Sequence, residues 1–140
     1  MNRRTKMILV PAAFILLPAI LVAAAWLNTV VVLELAKLEG IYSTPEDGMR
    51  TRVTESWVDI EKVEIVRSGP NAFDGSHPHV WFVGANVWAD RRADGKPVSR
   101  RGYGSAGSFF LHVQDGWVHV PEGRFPDVIG FFMELFDYWG

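Results

Sequence analysis

Phe109-Phe110-Leu111-His112-Val113-Gln114-Asp115-Gly116-Trp117-Val118-His119-Val120 decides the fold. Two runs of alternating residues flank Asp115-Gly116, a pair that two-residue hairpin turns favour because both positions accept positive φ. That turn predicts an antiparallel pair in which Gln114 faces Trp117, Val113 faces Val118, His112 faces His119 and Leu111 faces Val120. One face then carries Phe109, Leu111, Val113, Val118 and Val120 and reads as core. The other carries Phe110, His112, Gln114, Trp117 and His119.

Working back, the first of these strands opens at Tyr103, loosened by Gly102, Gly104 and Gly107. His79 to Asp90 is a longer strand. One side carries His79, Trp81, Val83, Ala85, Val87 and Ala89 and the other Val80, Phe82, Gly84, Asn86, Trp88 and Asp90; both are mostly apolar, so it should be central and covered at least in part on each side. Arg91 to Arg101 reads as a polar loop. Asp59 to Arg67 is another strand, with Val63 and Ile65 alternating with Lys62 and Glu64. Ser68-Gly69-Pro70-Asn71 breaks it, and Asp74-Gly75 with Pro78 keeps the chain irregular to His77. Consecutive strands with short links predict a four-stranded antiparallel meander.

Helices flank the sheet. Thr44-Pro45-Glu46-Asp47 is a helix start, with Thr44 as cap and Pro45 at the first helical position. Met49, Val53 and Trp57 then share one face of a short helix, 45 to about 57. Pro126 opens a last helix to about Tyr138. Its apolar stripe of Phe125, Val128, Ile129, Phe132, Met133, Phe136 and Trp139 is wide, Phe131, Leu135 and Tyr138 extend it around the side, and Glu134 and Asp137 mark a narrow polar face. Such a helix is largely buried, or part of it meets a partner or lipid. The class is α+β, with helices layered on the sheet. The element order is that of cystatin and NTF2-like curved-sheet folds, an analogy that carries no function.

The N-terminal part is of another kind. Met7 to Leu33 holds 27 residues without a charge, and only Asn28 and Thr29 in it are polar. As a helix it would extend about 40 Å, against a hydrocarbon core of about 30 Å. Pro11 and Pro18 are tolerated in membrane helices. Arg3, Arg4 and Lys6 precede the run, which places the N-terminus in the cytoplasm and the remainder outside. A secretory signal cleaved near Ala25 is the rival reading, since Ala23-Ala24-Ala25 fits the cleavage pattern. A signal core, however, is typically about 7–15 residues. The helix should run on into water through Glu34, Lys37 and Glu39 and stop at Gly40. The expected division is residues 1–40 for basic segment and membrane helix, 41–140 for an extracytoplasmic domain.

Residues 41–140 supply 10 Lys and Arg against 14 Asp and Glu, a net charge of −4. A mildly acidic domain argues against nucleic acid as partner. Cysteine is absent, so an exported domain must be held by its core alone. The expected partners are the bilayer, through residues 7–33, and a protein or anionic lipid.

Opposed strand residues have Cβ atoms about 4.5–5.5 Å apart, so His112 and His119 would share a metal ion or a proton. A zinc site needs a third ligand, which His77, His79 or Glu122 would have to bring. No H-E-x-x-H or C-x-x-C pattern occurs, and neither metal nor cofactor is expected. The plainer reading is two half-exposed histidines. Gly102 to Ser108 lacks the lysine of a phosphate loop and leads into a strand, so its glycines read as a bulge or close packing. Arg91, Arg92, Lys96, Arg100 and Arg101 concentrate positive charge in one loop. Near a bilayer each cation would contribute about 1 kcal/mol toward anionic lipid.

Two stretches, His79-Val80-Trp81-Phe82-Val83 through Arg92 and Gly107-Ser108-Phe109-Phe110-Leu111 through Gly123, resemble small uncharacterised bacterial proteins with one N-terminal membrane helix. The resemblance implies a bacterial membrane protein and no particular activity. The expected function is that of a membrane-anchored accessory or binding protein rather than an enzyme. The alternative is a small-molecule-binding or hydrolytic domain using a sheet pocket with His112 and His119.

Overall fold

The computed structural model describes residues 3–70, 80–98 and 102–140. Helix α1 (Arg3–Glu39) leads through Tyr42 to α2 (Pro45–Ser56), then to strands β1 (Trp57–Pro70), β2 (Val80–Arg92), β3 (Tyr103–Val113) and β4 (Gly116–His119), and to α3 (Pro126–Leu135). The sheet is antiparallel in the order β1-β2-β3-β4, the predicted meander.

Each helix covers a different part of the sheet. α2 starts as its sequence requires: Pro45 is in the first turn and the Asp47 amide donates to Thr44 Oγ1 at 3.1 Å. Its Met49 and Val53 pack on Val83, Ala85, Val87 and Phe110. Gly48 lets it lie close, since a Cβ there would come within 2.5 Å of the Phe110 ring and 2.8 Å of Tyr42. The opposite face is covered at its β3–β4 end. There Val32, Leu33 and Ala36 of α1 and Ile129 and Met133 of α3 enclose Val80, Leu111, Val113 and Val118. Among the described residues no helix covers that face towards β1. Lys62 lies over the Trp88 ring and Arg67 over Phe82 instead, 4.9 and 5.1 Å from the ring centres. β2 is therefore central, fully covered on one side and partly on the other.

α1 continues to Glu39 and stops at Gly40, whose amide still reaches the Ala36 carbonyl. Its two halves have different surroundings. Among the described side chains, the large apolar ones from Met7 to Leu27 other than Trp26 are exposed, whereas Thr29, Val32, Leu33 and Ala36 are buried, one stripe at helical spacing. Thr29 Oγ1 is satisfied by the Ala25 carbonyl at 2.9 Å. The last turns of the apolar run are thus in contact with the sheet. The exposed part, Met7 to Leu27, is about 30 Å long at 1.5 Å per residue.

Four local expectations change. Ser68, Gly69 and Pro70 stay in the β1–β2 ladder opposite Val83, Phe82 and Trp81. β1 is an edge strand, where a proline costs no ladder bond on its open side. Arg91 and Arg92 belong to β2 rather than to the loop, paired with Val58 and Trp57. The chain then turns back tightly, with the Arg92 amide on the Lys96 carbonyl and Val98 buried.

The hairpin register is the third change: Phe110 pairs with His119, Leu111 with Val118, His112 with Trp117 and Val113 with Gly116. The turn is Gln114-Asp115, neither at positive φ, and Gly116 (φ +147°) is a ladder residue. The link from α1 sets this. Tyr42 exchanges both backbone hydrogen bonds with Trp117 at 2.8 Å, so Gly116 lies against the Tyr42 carbonyl, where a Cβ would come within 2.5 Å. A shift of two positions leaves every side chain on its predicted face.

Last, α3 ends at Leu135 rather than Tyr138. Asp137 takes φ +50°, and the amides of Asp137 and Tyr138 turn back to the carbonyls of Glu134 and Met133. That is a Schellman termination with Asp where Gly is usual. It sends Tyr138 and Trp139 back to α1 and the hairpin, where the Gln114 amide meets the Trp139 carbonyl at 2.7 Å and Lys37 Nζ the Gly140 carbonyl at 2.9 Å.

Leu33→Ala should destabilise the sheet domain by about 2–5 kcal/mol, the usual cost of a buried leucine. Leu17→Ala, on the exposed part of the same helix, should change it by less than about 0.5 kcal/mol. Thermal unfolding in detergent, followed through the tryptophans, compares them. Equal effects would mean that the end of α1 is no part of the core.

Candidate functional site

β4 is short for a sequence reason. After Val120 the chain leaves the ladder: Pro121 fixes its own φ near about −65°, and Gly123 (φ +79°) turns the chain away. The last bond across this edge is Val120 N–H to the Phe109 carbonyl, 2.9 Å. β4 therefore covers only Phe110 to Val113 of a strand that begins at Tyr103. Among the described residues no strand lies beside the earlier part. In an antiparallel ladder, alternate residues aim their amide and carbonyl to alternate sides. The Phe109 carbonyl faces β4, so the N–H and C=O of Ser105 and Gly107 point to the same, open side. Both residues are exposed.

A cleft of about 390 Å³ lies along this edge, walled by Arg52 and Ser56 of α2, Trp57, Arg92, the Ser105–Ser108 segment and Glu122. It holds two guanidiniums against one carboxylate. Arg92 is placed by its ring contact with Trp57, 5.8 Å from the ring centre. Arg52 is held by Glu39 at the end of α1, Nη1 to Oε2 3.9 Å. Two further hollows adjoin it: one shares Gly107, Ser108 and Glu122 with the cleft, and the next shares Pro121 and Arg124 with that one and reaches Leu35 and Glu39. The three lie in series between the open edge of β3 and α1.

The sequence-selected residues divide. His112 and His119 lie on one face of the hairpin but are not opposed. His112 is exposed and stacks on its partner Trp117, ring centres 4.6 Å apart. His119 is 3% exposed, edge-on to Phe110 at 5.5 Å. Its Nδ1 has no hydrogen bond; Glu39 Oε2, already shared with Arg52, stands 3.8 Å away, beyond bonding reach. Burial, and then the nearby Arg52 charge, push the His119 pKa down to about 4, so the ring is neutral at pH 7. Arg92 lines the cleft and Arg91 pairs with Val58 beside it. Arg100, Arg101, His77 and His79 lie outside the described residues. Among those described, no three His, Asp or Glu side chains gather as metal ligands.

Arg52, Ser105 and Gly107 are not singled out by the sequence reading. Arg52 carries one usable signal: it flanks the buried Met49–Val53 face of α2. Gly102 to Ser108 reads as glycines for close packing, and a Cβ at Gly107 would indeed meet the Phe82 ring at 2.9 Å. The open edge depends on where β4 stops, which is visible only once the register is known. No protein-family model, curated protein or solved structure matches the chain.

A histidine whose folded pKa lies below its unfolded value binds fewer protons folded, so its contribution to stability is full above about pH 6.5 and falls as pH drops towards 4. The loss should approach about 3 kcal/mol. His119→Leu should remove that part of the pH dependence and leave stability at pH 7 nearly unchanged. Unfolding midpoints of both proteins between pH 4 and 7.5 measure it, and parallel curves would contradict a buried neutral imidazole.

Proposed function

We propose that this chain is a membrane-anchored accessory protein that binds an extended segment of a partner protein by adding it as a strand to β3. One observation carries the reading: β3 runs well past the end of β4, leaving backbone donors and acceptors open beside a cleft. The other sheet edge is defended. β1 carries Asp59, Glu61, Lys62, Glu64 and Arg67 and two register irregularities, at Ile60/Lys62 and Ile65/Arg67. Charges and bulges are how edge strands resist pairing. The β3 edge reads Gly-Ser-Ala-Gly-Ser and has neither. Backbone pairing would supply affinity and the cleft specificity, and Arg52 with Arg92 favours a carboxylate on the incoming segment.

Membrane attachment is supported by α1, a helix long and apolar enough to cross a bilayer. Its exposed part, Met7 to Leu27, matches the hydrocarbon thickness of about 30 Å. The basic residues before it favour a cytoplasmic N-terminus and an extracytoplasmic domain. Cleavage after Ala25 would leave Thr29, Val32, Leu33 and Ala36 in place and release the same domain. The two routes give different products: the anchored protein retains residues 1–25, whereas the secreted one starts at Trp26, a difference read by mass spectrometry of the mature chain.

A photo-crosslinking residue at Ser105 should trap a second polypeptide in membranes of the cells that make the protein, and the same residue at Glu61 on β1 should not. Ser108, which lines the same cleft, should give the same adduct when it carries the crosslinker. Ser105→Pro removes an outward amide that the sheet does not use and should abolish the Ser108 adduct while the domain stays folded. Adducts at Glu61 of equal yield, adducts only with another copy of this chain, or a Ser108 adduct unaffected by the proline would each overturn the reading.

A further inference from the structure

α3 has an apolar face that the sheet does not use. Ile129 and Met133 are buried in the core, while Val128, Phe131 and Leu135, at i, i+3 and i+7, are 47, 49 and 59% exposed. Phe125 before them is 75% exposed. An exposed contiguous apolar patch of this kind marks an interaction site.

Three features of the structure say what lies against it. The first is height along α1. Just before α3, Arg124 Nη1 meets Asn28 Oδ1 at 3.4 Å; just after it, the Phe136 ring lies 4.6 Å from Trp26. Asn28 and Trp26 are two residues apart, about 3 Å along the axis. Side chains flanking both ends of α3 therefore reach α1 at one level, the pattern of a helix lying across α1 rather than along it. If α1 crosses a bilayer, α3 lies in the membrane plane.

The second is direction. Ile129 and Met133 pack with Val32, Leu33 and Ala36, which follow Asn28 on the domain side. At about 100° per residue, Phe131 points opposite to the mean of Ile129 and Met133. It faces the free, apolar half of α1. The third is composition at this level. Trp26 meets both Phe136 and Tyr138, ring centres 4.6 and 5.1 Å away. Trp and Tyr favour the head-group region of a bilayer. The buried stripe of α1 starts three residues after Trp26, at Thr29, and beyond it only Val31, Leu35 and Leu38 remain as exposed large apolar side chains of the helix.

The geometry points to α3 as an interfacial helix whose Phe125–Val128–Phe131–Leu135 face rests in the leaflet from which α1 emerges. The occupant is lipid, continuous with the lipid around α1, and α3 fixes the tilt of the domain on the bilayer. This rests on α1 spanning the membrane. Helices of this kind bury their apolar face about 5–10 Å into the head-group and acyl boundary.

The chain has no cysteine, so single nitroxide labels can be placed in the full-length protein. We choose Phe131→Cys, Leu17→Cys on the exposed part of α1, and Glu55→Cys on α2, in vesicles of phosphatidylethanolamine and phosphatidylglycerol. Relaxation by oxygen reports lipid, and relaxation by a water-soluble nickel chelate reports water. Labels at 17 and 131 should both favour oxygen, with nickel access several-fold below that at 55. Nickel access at 131 equal to that at 55, with 17 still in lipid, overturns the inference and leaves the anchor. Protection of 131 from both reagents overturns it in favour of a protein occupant. Nickel access at 17 removes the anchor and the inference together.

Discussion

The structure depends on the stripe Thr29, Val32, Leu33 and Ala36. These residues bury one side of α1 against the β3–β4 face of the sheet, so the long apolar helix and the folded domain share a core. Leu33 is fully buried and Leu35 is half exposed, which is the pattern of one helix side entering a domain. The C-terminal residues reinforce the contact through polar groups, with Lys37 Nζ on the Gly140 carbonyl and the Tyr138 hydroxyl donating to Glu34. Both elements nearest α1, α3 and β4, are then held at fixed positions along its length.

From that contact the rest follows. Gly40 ends α1 in direct contact with the domain, and two residues later Tyr42 is already paired with Trp117. The pairing occupies the outer side of β4, draws Gly116 into the ladder and moves the turn to Gln114-Asp115. The same few residues close one half of that sheet edge and leave the half beyond Val120 open. Arg52, Glu39 and His119 meet at the boundary between the closed and open halves, from α2, α1 and β4 respectively.

What the sequence made legible and what it did not separate along a physical line. The strands, their order and the two faces of the hairpin follow from period-two alternation, which is local. So do the Thr44 cap and the Gly40 stop. The hairpin register is not local. Asp115-Gly116 is a good type I′ pair in isolation, but the backbone of Tyr42, over seventy residues earlier in the chain, decides where Gly116 sits. The expected meeting of His112 with His119 failed for that reason alone. Likewise, 27 uncharged residues read as one membrane segment, because apolar composition cannot distinguish a side chain facing lipid from one facing a sheet. Pro70 reads as a break in sequence because its tolerance depends on β1 being an edge strand, a property of topology. Nothing local ranks Arg52 above the other cations; its place beside the end of β3 comes from the packing of α2.

A rigid junction changes what the two open surfaces can meet. A domain on a flexible tether samples all orientations, and any face can find a partner in any direction. Here only Gly40 to Thr44 separate α1 from α2, and Tyr42 within that link is bonded to β4. The α3 face and the β3 edge therefore keep fixed directions relative to α1. The last of the hollows in series with the β3 edge lies against Leu35 and Glu39, so the edge and the end of α1 share one side of the molecule. On the proposed function, a segment paired with β3 would lie beside α1, and a partner held near α1 would pair at raised effective concentration without any new contact.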